Sequence, residues 1–97
     1  MRSSDVDQTL RDVGRRVAEE RMHRGWTQEQ FAEKMGHSLK FAQRIEAGRE
    51  NLTVKSIANL AKHLGVDLVA LFRKPRTEKP KPGRPKQRTR VAKTAGR

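Results

Sequence analysis

The side chains of this sequence that could do chemistry are cations and amides rather than nucleophiles. Its histidines, His23, His37 and His63, are too widely spaced for the H-x3–5-H pattern of a metal site. Cysteine is absent, which removes thiolate ligands, thiol nucleophiles and disulfides together. The serines fall in the N-terminal segment or at helix starts, with no base set beside them, and no Gly-rich phosphate loop appears. No catalytic residue, metal or cofactor is therefore expected, and the chain does not read as an enzyme. What remains is hydrogen-bond donation and positive charge. The 97 residues hold 23 Lys and Arg against 11 Asp and Glu, a net charge of +12 that favours an anionic partner.

That charge is unevenly placed. Residues 1–72 carry 12 Lys/Arg and 10 Asp/Glu, whereas residues 73–97 carry 11 Lys/Arg and one acid, Glu78. All four prolines, Pro75, Pro80, Pro82 and Pro85, also lie in the second segment. With almost nothing apolar to bury, that segment cannot offset its ordering entropy, so it is expected to be a disordered basic tail. The organisation expected is a flexible N-terminal segment over 1–8, a folded domain over 9–73 and a tail over 74–97. The start "MRSSDVDQTL" has two aspartates and no apolar run, unlike a secretory signal. No stretch approaches the roughly 20 apolar residues of a membrane span.

Helical spacing organises the body. Leu10, Val13, Val17 and Ala18 mark a first helix, with Asp7 as its expected N-cap and its end before Gly25. Trp26 follows as an expected core anchor. Thr27 and Gln30 make a T-x-x-Q capping box for a second helix, whose inner face is Phe31, Ala32 and Met35. Gly36 stops it, and Ser38 caps a third helix with Phe41, Ala42 and Ile45 inward and Gly48 after it. Thr53 caps a fourth, with Val54, Ile57, Ala58, Ala61 and Leu64 inward and Gly65 at its end. Asp67 is expected to cap a short fifth bearing Leu68, Leu71 and Phe72. No segment alternates with period two. The expected fold is all-α with five short helices, too small to enclose a large pocket.

Two short helices joined by a tight turn at Gly36 describe a helix-turn-helix. "GWTQEQFAEKMG", "RIEAGREN" and "LAKHLGVDLVALF" occur in an order and at separations that resemble the Cro/repressor (XRE) family of helix-turn-helix proteins, from about Leu10 to Phe72. The resemblance implies a five-helix, lambda-repressor-like DNA-binding domain. Three positions depart from the family pattern: His37 replaces a usually apolar residue, Ala42 a larger one, and Glu20 a position often held by leucine.

The resemblance also assigns roles. The third helix would lie in the major groove, placing Leu39, Lys40, Gln43 and Arg44 against base edges. Their chemistry fits: Arg or Lys donates to guanine O6 and N7, Gln bonds adenine N6 and N7, and Leu offers a thymine methyl an apolar contact. Gln28, Ser38, Arg49 and Asn51 would meet the DNA backbone. Arg21 and Glu46 resemble a structural pair that joins the first helix to the third, outside the contact surface. Family members suggest a homodimer on a two-fold site in double-stranded DNA, with half-sites about 34 Å apart, and Leu68, Leu71 and Phe72 are the residues that could join subunits or serve as core.

In the tail, "KPGRPKQR" resembles an AT-hook, in which an extended Gly-Arg-Pro enters the minor groove of A·T-rich DNA. Lys81, Gly83, Arg84, Pro85, Lys86 and Arg88 are its candidate contacts, although Pro82 replaces the first arginine of the motif. Simple attraction to phosphates is the plainer role for this tail. The implied function is a sequence-specific transcriptional regulator, bacterial or phage, cytoplasmic and nucleoid-associated, typically a repressor. Two other readings stay open: a nucleoid-architectural binder of low specificity, and an antitoxin or adaptor with a protein partner.

Overall fold

A computed structural model describes residues 3–76 of the chain. Four α-helices follow one another: α1 (Ser3–His23), α2 (Gln28–Met35), α3 (Leu39–Glu46) and α4 (Val54–Leu64). A short 3-10 segment (Leu68–Phe72) closes the domain, and no strand occurs among the described residues. The starts and stops of the middle helices come from side chains next to them in sequence. Thr27 Oγ1 accepts from Gln30 N–H at 3.0 Å while Gln30 Oε1 accepts from Thr27 N–H at 2.9 Å, a reciprocal capping box. Ser38 Oγ accepts from Phe41 N–H, and Thr53 Oγ1 from Ser56 N–H. Gly36 ends α2 at φ 74°, a left-handed conformation that glycine adopts without a steric penalty.

One core lies between the helices. Val13 and Val17 of α1 meet Phe31, Ala32 and Met35 of α2, Ala42 and Ile45 of α3, and Ile57, Leu60, Ala61 and Leu64 of α4, with Leu71 from the 3-10 segment. Trp26 is partly buried against this core, stacked near Phe31 with ring centroids 6.3 Å apart, and Lys34 Nζ lies 4.8 Å from its ring centroid.

Three expectations need correction. The first helix is described from Ser3 onward, so Asp7 sits inside α1 rather than capping it. Local bonds support those turns: the Thr9 hydroxyl donates to the Asp5 carbonyl, and Gln8 Nε2 to Asp12. On α4 the inner face is Ile57, Leu60, Ala61 and Leu64, whereas Val54 is 76% exposed and Ala58 is exposed. Ala58 is turned about 100° from Ile57, off the buried stripe, and Val54 projects from the first turn beyond the core. The fifth helix is 3-10: Ala70 N–H bonds the Asp67 carbonyl three residues back, and the Asp67 side chain makes no cap. Five residues including β-branched Val69 are too few to offset α-helix nucleation.

The short segment is held from outside. Arg16, 8% exposed, donates through Nε to the Ala70 carbonyl at 3.0 Å, and its two terminal nitrogens bond Glu19 and Glu20, both at 2.9 Å. Arg24 Nη1 donates to Glu20 as well, at 2.8 Å. Glu20, one of the departures from the family pattern, is thus the acceptor that fixes two arginines. Hydrogen bonds from Arg24 and then Arg16 hold its carboxyl below the usual carboxylate range, against the opposing effect of burial.

A candidate nucleic-acid interface on the third helix

α3 has two unlike faces. Ala42 and Ile45 are buried at 0% and 1% exposure and seat the helix on the core. Leu39, Lys40, Gln43 and Arg44 occupy the other side, an arc of about 140° at 100° per residue, and all four are exposed. Leu39 is 39% exposed, and the Arg44 side chain 55%. Two donors with different geometry, one amide and one apolar side chain therefore share a single open helix face.

The N-terminus of that helix is open too. Ser38 is exposed, and its Oγ accepts the Phe41 N–H, which leaves the hydroxyl proton available to a ligand oxygen. His37 has a structural explanation: its ring packs on Phe41, centroids 4.2 Å apart and tilted by 31°. It shields the partly buried Phe41 where an apolar residue would otherwise do so. Ala42, smaller than the family norm, is fully buried where α3 lies on the core.

The opposite end of α3 is tied to both preceding helices. Arg21, at the end of α1, donates from Nε to Glu46 Oε2 at 2.6 Å and from Nη2 to Oε1 at 3.0 Å. Its Nη1 bonds the Trp26 carbonyl at 2.7 Å. Gln28, from the first turn of α2, donates its amide to Glu46 Oε1 at 3.0 Å. One part-buried carboxylate thereby receives three donors from two elements. Gln28 is thus engaged on Glu46, with its second amide N–H left for an outside acceptor. Arg49 and Asn51, in the loop after α3, are exposed, and Arg49 N–H returns to the Arg44 carbonyl at 2.8 Å.

Two glycines allow α1 to come this close. A Cβ on Gly14 would press against the carbonyl oxygens of Ile45 and Glu46, and one on Gly48 would lie 2.7 Å from Arg11 Cα. Gly48 also has φ 74°. The sequence signal for Gly14 was a glycine in a helix interior, where it costs about 1 kcal/mol against alanine unless packing requires it.

Sequence reasoning missed one residue at the open face. Glu50 Oε1 lies 3.1 Å from Arg44 Nη2 and its side chain is only 22% exposed. The two are six positions apart across a glycine turn, a separation with no helical or strand rule to reveal it. Lys81, Gly83, Arg84, Pro85, Lys86 and Arg88, with the remainder of the expected tail beyond residue 76, lie outside the described residues. Among the described residues no group of three His, Asp or Glu could hold a metal, and no helix is long and apolar enough to cross a membrane.

Two crossed helices with a capped glycine turn, the second exposing a row of donors, define a DNA-binding helix-turn-helix domain. The chain belongs to the helix-turn-helix family HTH_3, whose pattern matches residues 17–71. It is 39% identical over 59 residues to an uncharacterized HTH-type transcriptional regulator, y4dJ, of Sinorhizobium fredii, covering 61% of this chain and 77% of that one. Among solved structures it is similar to a hypothetical transcription factor, NHTF, from Neisseria, with a TM-score of 0.63, 30% identity and coverage of 71% of this chain and 80% of that one. It is also similar to the restriction-modification controller protein C.AhdI of Aeromonas hydrophila, with a TM-score of 0.64, 29% identity and coverage of 70% and 99%. The family is one of DNA-binding transcriptional regulators rather than enzymes.

Proposed function

We propose that this regulator is sequence-specific and reads the major groove with α3. Leu39, Lys40, Gln43 and Arg44 face the base edges, while Gln28, Ser38, Arg49 and Asn51 contact the flanking phosphates. The observation that carries this reading is the two-faced α3: its inner side is locked to α1 and α2 by Ile45 and Glu46, so its outer side presents donors in a fixed orientation. Preorganised donors on a rigid element favour discrimination between sequences over generic attraction.

The protein acts as a homodimer on a two-fold site with half-sites about 34 Å apart. Val69, 64% exposed, and Phe72, 50% exposed, form an apolar patch on the 3-10 segment that a second copy would cover. Leu71 is fully buried and Leu68 partly so, and both belong to the core of one subunit. The cationic tail adds phosphate contacts and, at Gly83-Arg84-Pro85, an entry into A·T minor grooves.

Selection of bound sites from random duplexes at near-physiological salt tests the whole reading. The expected result is an enriched inverted repeat, with affinity at least about 1,000-fold above random DNA. Equal affinity for selected and random duplexes would instead identify an architectural binder.

A further inference from the structure

Between Leu39 and Leu52 the sequence holds two acids, Glu46 and Glu50. Glu46 is turned inward onto Arg21 and Gln28. Glu50 follows Arg49 in sequence and pairs with Arg44, one of the exposed cations of α3. A carboxylate there repels phosphate, so a free, solvated glutamate would only weaken binding. Glu50 is not free: its side chain is 22% exposed and its Oε1 forms an ion pair with Arg44 Nη2 at 3.1 Å, while the Arg44 side chain is 55% exposed.

We infer that Glu50 is a positioning residue for Arg44 and sets how sharply the recognition helix distinguishes its site from other DNA. The inference rests on the proposal that α3 reads base edges. A guanidinium has five N–H donors in a planar fork. The Glu50 carboxylate is paired with one terminal nitrogen from the protein side; that attraction favours the Arg44 rotamers that keep it and leaves the guanidinium donors for a guanine edge. The same carboxylate cancels much of the charge with which Arg44 would attract any phosphate. Contacts to phosphate carry no sequence information, so this cancellation lowers binding to all DNA while the aligned donors serve one base pair.

Double-mutant binding measurements test it. Affinities are measured by fluorescence anisotropy at one fixed salt concentration. The duplexes are the selected one and a scrambled one of equal composition. The proteins are the wild type, E50A, E50Q, R44A and the two Arg44/Glu50 double variants. With Arg44 present, both Glu50 variants are expected to bind scrambled DNA about threefold more tightly. They are also expected to lower the ratio of specific to scrambled affinity about fivefold, near the lower end of what a bidentate base contact contributes. In the R44A background the same changes should leave that ratio within about twofold, because the residue positioned is gone. E50Q keeps the shape of the loop, so it decides the matter if E50A folds poorly. An unchanged ratio with Arg44 present, or an equal fall in both backgrounds, would overturn the role of Glu50. Loss of the base-reading proposal itself is seen in the wild type alone, as equal affinity for the two duplexes.

Discussion

Arg21 grips Glu46 through two hydrogen bonds, 2.6 and 3.0 Å long, and joins the last turn of α1 to the last residue of α3. Both side chains are largely buried, at 12% and 6% exposure. Gln28 adds a donor from α2. The orientation of the outer face of α3 is thus fixed by a carboxylate on its inner side.

Removing one partner should therefore matter more than for a surface pair. Arg21→Ala is expected to lose about 3 kcal/mol of stability, because Glu46 is left charged with only the Gln28 amide beside it. Urea denaturation followed by circular dichroism checks this, and a loss under about 1 kcal/mol would mean that water replaces the guanidinium without penalty.

Gly14→Ala should destabilise the fold although alanine is the better helix former. The added methyl would meet the Ile45 and Glu46 carbonyls, backbone atoms that cannot move without shifting α3. The expected cost is about 2 kcal/mol, with weaker DNA binding from the displaced helix. Thermal melting and duplex titration read the two effects on one protein.

Arg44→Ala is expected to weaken operator binding by about 1–3 kcal/mol and to relax preference at one base position. Binding to a panel of single-base operator variants tests it. A uniform loss across the panel would assign Arg44 to phosphate instead.

A chain ending at Lys74 should keep its sequence preference and lose affinity. If the tail neutralises about six phosphates, its removal lowers the log–log salt slope by roughly five. Identical salt titrations for the full and shortened chains would exclude a DNA role for the tail.

Acid should act through Glu20. Its carboxyl is held below its ordinary range in the folded state, so the native form binds protons less readily than the unfolded one. The stability this provides is present above the unfolded carboxylate value, about 4.3, and is lost as pH falls through the lower folded value. Glu20→Gln should lower the melting temperature at pH 7 and bring it closer to the wild type in acid. A constant difference between the two melting curves from pH 7 to pH 3 would show that ionisation of Glu20 contributes nothing.

The helix borders were legible because the groups that cap a helix lie within three residues of the N–H they satisfy. Thr27, Ser38 and Thr53 carry that information locally, as does Gly36 through its own backbone. The first helix runs on through Asp7, the residue expected to cap it, and the fifth follows Asp67, whose side chain makes no cap bond. The outer face of α3 could be named from spacing together with the family pattern, since 3.6-residue periodicity separates Lys40 and Arg44 from Ala42 and Ile45.

Tertiary structure decided which distant partners the longer polar side chains take. Gln28 could be placed at a helix start, but not on Glu46, 18 residues away. Arg16 could be called helical, but not the clamp on Ala70, 54 residues away. Glu50 could be called a loop acid, but not the partner of Arg44. The physical reason is that periodicity and capping are short-range properties of a chain, whereas a charge finds its partner only after packing has brought distant backbone together.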